Sequence, residues 1–207
     1  MKYIKKIPPT DSDFSNMLIS TGWKKIKEPS NLNEAILQSI PFMIINGIIF
    51  MVIAYFIYPP IEEFINSKNS ISITLNINIM TLIYIAFTFL FMTIHELIHA
   101  CFIPDFLKSD KTYWGINVLF GFVCTTEKIK KSRYIIISIM PFILLSIIFP
   151  LILSTFGLLN EFILFLCLLN AMGSCIDFLN IWNILRQAPN GSYIVNNGGE
   201  TYYNNTS

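Results

Sequence analysis

The chain holds two histidines, His95 and His99, in the string His95-Glu96-Leu97-Ile98-His99. On a helix, residues four apart stack on one face, so the two imidazoles can share one metal ion. A glutamate beside the first of them can reach a metal-activated water as general base. The same string could serve packing or ion pairing alone. Its surroundings argue otherwise, because it lies in an apolar run, where ionisable groups are costly and functional by default. No basic residue in any predicted span pairs with the three groups, so they call for a cation. Zinc suits neutral imidazole and carboxylate, and a catalytic zinc takes three protein ligands plus water.

With no third histidine, the third ligand must be a carboxylate, a thiolate or an amide. Asp177 is the leading candidate, as the only ionisable residue well inside the last apolar segment. Depth agrees. His95 and His99 lie 15 and 19 residues past Met80, and Asp177 lies 17 past Asn160. At ~1.5 Å per residue the three sit about 22–29 Å along helices that run the same way. Cys101 and Cys175 point off the ligand faces, and Asp105 is a fallback. Asn170, Ser174 and Asp177 share a helix face, so Asn170 and Ser174 are candidates to orient the ligand or to donate to an oxyanion. They could equally be helix-packing polars.

These groups need apolar helices to carry them, and the composition supplies little else. Hydrophobic residues make up 54% of 207 and charged residues 13%, with 18 Phe and a mean hydropathy of +0.59. A soluble fold of this size would have more apolar surface than it could bury. A net charge of +1 leaves no basic footprint for nucleic acid. The four cysteines include no C-x-x-C pair, which excludes a zinc finger and gives no disulfide framework.

The expected architecture is an all-α polytopic membrane protein. Four transmembrane helices cover about residues 40–58, 80–103, 134–156 and 160–185, with Pro141 and Pro150 kinking the third. Before them, residues 1–37 form a cytosolic or interfacial segment without the apolar core of a cleaved signal peptide. Within it a short helix runs from Asp11 to Thr21, capped by Thr10, stopped by Gly22 and laid on the bilayer surface or simply leading in. The alternation at Ser70–Ile79 predicts a short strand or loop. Tyr113–Leu119 and Phe122–Glu127 predict a small β-hairpin, or a re-entrant loop, beside the site. Residues 38–186 form the membrane domain and 187–207 a polar tail. Of the 14 Lys and Arg, 13 fall on one side of this arrangement and only Lys68 on the other. The positive-inside rule therefore places both termini and the loop 104–133 in the cytosol.

Taken together, the chain resembles a family of bacterial membrane zincins that is distantly similar to the site-2 proteases. The likeness rests on the HELIH helix, Phe14, Gly22-Trp23, Tyr113-Trp114-Gly115, Met140-Pro141-Phe142, Asp177 and Pro189 to Val195. It implies a zinc endopeptidase of the cytoplasmic membrane that cuts a membrane-anchored protein near the cytosolic face. His95, His99 and Asp177 would be ligands and Glu96 the catalytic base. Site-2 proteases carry Leu-Asp-Gly at the third ligand, whereas here Asp177 precedes Phe178 and no proline separates it from Asn170. The competing reading is a non-proteolytic metal-binding membrane protein, such as a transporter, a sensor or a scaffold with a structural zinc.

Overall fold

The computed structural model describes residues 1–6, 8–66, 77–116 and 121–205. In chain order the elements are β1 (Lys2–Tyr3), α1 (Ser12–Ser20), β2 (Lys24–Lys25), α2 (Leu32–Ile57), α3 (Pro59–Asn66) and α4 (Ile79–Phe102). Next come β3 (Thr112–Ile116), β4 (Gly121–Thr125), β5 (Ile129–Lys130) and α5 (Lys131–Pro141). A π-helical segment (Phe142–Ile148), α6 (Phe149–Thr155), α7 (Glu161–Gly173), α8 (Cys175–Gln187), β6 (Tyr193–Asn197) and β7 (Glu200–Asn204) complete the chain. Four rods are long and apolar enough to cross a membrane: Leu32–Ile57, Ile79–Phe102, Lys131–Thr155 and Glu161–Gln187. Their outer faces are as apolar as their core, with Ile44, Ile48, Phe56 and Phe87 exposed and Phe50, Phe142 and Cys167 buried.

Several boundaries differ from expectation, each for a local reason. The first rod starts at Leu32 rather than Ile40. Asn31 caps it by accepting from the Glu34 amide, and Glu34 accepts from Ser30 in return. The third rod changes to a π-helical segment directly after Pro141 and returns to α-helix at Phe149, with Pro150 in its first turn. The fourth breaks at Ser174 into α7 and α8. Gly173 and Ser174 are weak helix formers, and the Ser174 hydroxyl bonds back to the Asn170 carbonyl at 2.9 Å. Asp11, not Thr10, caps α1, accepting from the amides of Asp13 and Phe14, while Thr10 accepts from Gly199. Residues 70–76 of the expected strand lie outside the described residues, and Asn78 already caps α4.

The fold is mostly helical with two small sheets, so the all-α expectation is corrected. One sheet has the order β1-β3-β4, with β3 and β4 antiparallel as the predicted hairpin, its turn outside the described residues. The other has the order β2-β7-β6-β5. Residues 193–204 of the expected polar tail are therefore built into a sheet. Tyr193 to Asn204 form a hairpin that pairs with the N-terminal segment on one side and with β5 on the other. Leu18 of α1 packs against Val195 and Tyr202 of that hairpin. Lys131 is buried and donates to the Ala188 carbonyl at 2.6 Å, tying the start of α5 to the end of α8.

The hairpin tip is locked by Asn197, whose side chain accepts from the Asp11 amide and donates to the Asp11 carbonyl and the Ser15 hydroxyl. Next to it, Gly198 has φ +59, and a Cβ there would lie 2.5 Å from the Thr10 nitrogen and 2.7 Å from the Pro9 carbonyl carbon. Gly198→Ala is expected to cost about 2 kcal/mol or more and to speed hydrogen exchange at the Asp11 amide. An unchanged thermal midpoint with unchanged protection there would contradict this packing.

Candidate metal centre

Both histidines of the HELIH string face the same point because α4 is regular through it. Asp177 stands in the first turn of α8, directly after the break at Ser174, where a helix N-terminus favours a carboxylate. The break therefore aims the carboxylate at α4. His95 Nε2 lies 3.4 Å from Asp177 Oδ2, and His99 Nε2 lies 3.4 Å from Asp177 Oδ1. One ligand atom from each of the three residues lies within 4.8 Å of the others.

The outer ring nitrogens are fixed by acceptors. His95 Nδ1 is 2.8 Å from Asn170 Oδ1, and His99 Nδ1 is 2.8 Å from the Ile137 carbonyl oxygen. Asn170 is fully buried, and its amide nitrogen donates to the Pro141 carbonyl and to Ser146 Oγ. That leaves its oxygen to accept, so His95 carries its proton on Nδ1. A carbonyl can only accept, so His99 does too. Ile137 is the residue four before Pro141, and proline has no N–H to give it. The carbonyl that accepts from His99 is the one this proline leaves without its usual helical donor.

With Nδ1 committed to its acceptor, each ring turns Nε2 towards the Asp177 carboxylate. Nitrogens and a carboxylate so placed can take a metal ion between them. The three residues bring one ligand atom each to within 4.8 Å of one another, with His95 Nε2 3.4 Å from one Asp177 oxygen and His99 Nε2 3.4 Å from the other, a spacing compact enough for a single ion. Two nitrogens and one carboxylate oxygen also match the donor chemistry zinc prefers. The site fits the metal.

Glu96 follows His95 on α4 and faces both histidines and the Val123 backbone of β4. It lines a cavity of about 290 Å³ with His99, Asp177, Cys124 and Asn180. Burial pushes the Cys124 thiol up to about 11, so at neutral pH it remains a weak ligand and nucleophile. Cys101 is exposed, Cys175 is half-buried, and neither they nor Asp105 join the ligand group among the described residues. Of the second pair of candidates, Asn170 touches His95 rather than Asp177. The Ser174 hydroxyl donates to the Asn170 carbonyl, at the helix break.

The sequence reading did not anticipate the roles of the Ile137 carbonyl, Ser146 and Val123. A backbone acceptor has no side-chain signature. For Ile137, Pro141 was the available signal, because a proline in a helix always releases the carbonyl four residues back.

Compared with known proteins, residues 88–193, just over half of the chain, match the family described as "putative zincin peptidase". No curated protein and no solved structure matches the chain.

Because Asn170 holds the His95 ring, Asn170→Leu is expected to weaken zinc binding about 10–100-fold. Competition with a chromogenic chelator on detergent-purified protein measures this. Wild-type affinity in the variant would show that the hydrogen bond does not orient the ligand.

Proposed function

The chain belongs to the zincin peptidase family, and from that premise we propose that it is a zinc-dependent endopeptidase acting within the membrane. The observation that carries this reading is the convergence of two Nε2 lone pairs and one carboxylate, with Glu96 beside them and a cavity in front. His95, His99 and Asp177 would hold the zinc. When bound, zinc supplies a Lewis acid that brings a water's pKa towards ~7 and polarises a peptide carbonyl.

The remaining chemistry belongs to the chain's own residues. Asn170 and the Ile137 carbonyl keep protons on the Nδ1 atoms, so each imidazole is oriented with Nε2 towards the metal position. The Glu96 carboxylate, held against β4, takes a proton at its oxygen and returns it to the leaving nitrogen. A substrate helix must be unwound before its carbonyls are free. β4 offers a place for the unwound stretch, since it pairs only with β3 among the described residues and its Val123 to Thr125 line the cavity.

The four apolar rods support insertion in a bilayer, and the charge distribution supports an orientation with both termini cytosolic. The sheets join residues from the N-terminal segment, from the 104–133 loop and from the C-terminal hairpin, as expected if all three share one side. Tyr58 bonds to Glu161 at 2.6 Å and Ser154 to the Ile57 carbonyl at 2.7 Å, where the first, third and fourth rods meet at their other ends. The expected substrate is therefore a membrane-anchored protein cut near the cytosolic face.

Glu96→Ala should reduce cleavage of single-span fusion proteins co-expressed with the chain by at least about 100-fold. Zinc content should stay at the wild-type level. Undiminished cleavage would contradict the general-base role. No cleavage by either form across a broad panel, with zinc retained in both, would favour a metal-binding protein without peptidase activity.

A further inference from the structure

Two side-chain amides stand on the wall of the cavity that holds Glu96, His99 and Asp177: Asn196 and Asn180. Asn196 is committed, since its side chain bonds to the Tyr134 hydroxyl and its oxygen is shut away from solvent. Asn180 is the opposite case. Its side chain makes no hydrogen bond among the described residues, and neither of its polar atoms is among the buried ones left without a partner. Both atoms therefore reach open space.

The helix shows which space. Asn180 follows Asp177 by three residues in the regular helix α8, so the two side chains share a face, with Cβ atoms about 5–6 Å apart. The same side of α8 continues with Ile181 and Ile184, both buried. Asn180 is thus an inward-facing residue that is only half-buried, and it opens onto the cavity. It also borders a neighbouring cavity beside Glu28, but the face it shares with Asp177 is the one turned to the metal centre. An apolar residue would suit that face better, because the inward stripe of such a helix is ordinarily apolar. A polar group inside a spanning helix is functional by default.

Its chemistry suits a peptide main chain. A side-chain amide carries donor and acceptor side by side. In an extended chain the N–H and C=O of one residue point to the same side, and successive residues turn these groups to opposite sides. β4 lines the cavity as well, so a peptide paired to β4 has alternate residues whose main-chain groups β4 cannot reach.

We propose that Asn180 is a substrate-binding residue: its amide pairs with the N–H and C=O of one residue of an extended peptide in the catalytic cavity, Nδ2 donating and Oδ1 accepting. The proposal rests on the peptidase reading and deepens it, because it names a group that reads the substrate's main chain. Three residues of helix rise about 4.5 Å, which equals roughly one or two residues of extended chain, so the residue read lies that close to the scissile bond. Recognition of this kind is indifferent to side chains and demands an unwound segment.

The test uses the full-length, zinc-loaded protein in detergent, with binding measured by calorimetric titration. Acetohydroxamate reports the metal alone. Two peptidyl hydroxamates carry an extended apolar tripeptide, one on the amino side and one on the carboxyl side of the metal-binding group. Asn180→Leu should weaken at least one of these two about tenfold and bind acetohydroxamate as the wild type does. That last value also certifies that the variant is folded. Asn180→Ala, which adds no bulk, should reproduce the loss. In ester analogues of the affected compound, one amide N–H at a time is replaced by oxygen. One replacement should cost the wild type about tenfold and cost Asn180→Leu nothing. Peptidyl affinities untouched by Asn180→Leu, a loss confined to Asn180→Leu and absent in Asn180→Ala, equal ester penalties in wild type and variant, or acetohydroxamate binding lost in both variants would overturn the proposal. Failure of the wild type to bind acetohydroxamate would instead overturn the metal-centred reading on which it rests.

Discussion

Three polar groups meet at the centre of this protein: two imidazole Nε2 atoms and a carboxylate, packed among apolar helices. Burying such groups is costly unless they are paired or hold a metal, and much of the surrounding structure serves to keep the three aimed at one point. Asn170 can fix His95 only because its own amide nitrogen is held by the Pro141 carbonyl and Ser146. His99 can donate to Ile137 because Pro141 withholds a backbone proton from that carbonyl. One proline thus supports both histidines, through its own carbonyl on one side and its missing N–H on the other. The break at Ser174 performs the matching task for Asp177, starting a new helix at the residue that must turn towards α4.

The sheets complete the centre from outside. β4 runs beside α4 and covers Glu96, while the hairpin of β6 and β7 closes over the far wall of the cavity. That hairpin is anchored at both ends of the chain's contribution: β2 and α1 hold β7 and the tip, and β5 holds β6. Segments far apart in sequence therefore meet around the cavity that holds Glu96, His99 and Asp177. This is the physical reason for reading the N-terminal segment and the C-terminal hairpin as parts of the catalytic unit rather than as appendages.

Much of the centre was legible from residue types. The HELIH spacing, the scarcity of charge in the apolar segments and the equal depth of Asp177 pointed to three groups that the structure brings together. The four apolar rods were legible from hydropathy, although α2 begins eight residues earlier because its cap is polar and hydropathy does not register caps. The break at Ser174 escaped because the apolar character runs unbroken through Cys175 and Ile176, hiding a change of helix in a continuous segment. The C-terminal hairpin escaped because its polar residues resemble a tail. Yet Tyr193 to Val195 and Thr201 to Tyr203 flank an Asn-Gly-Gly turn, a hairpin pattern that composition alone obscures.

The central claim is that His95, His99 and Asp177 together hold one zinc ion. It is tested most directly by elemental analysis of detergent-purified wild type and Asp177→Ala, each supplied with zinc and desalted. The account predicts about one zinc per wild-type chain and a clear loss in the variant, with both remaining folded by circular dichroism. A folded wild type that retains no zinc, or a variant that retains as much as the wild type, would contradict it.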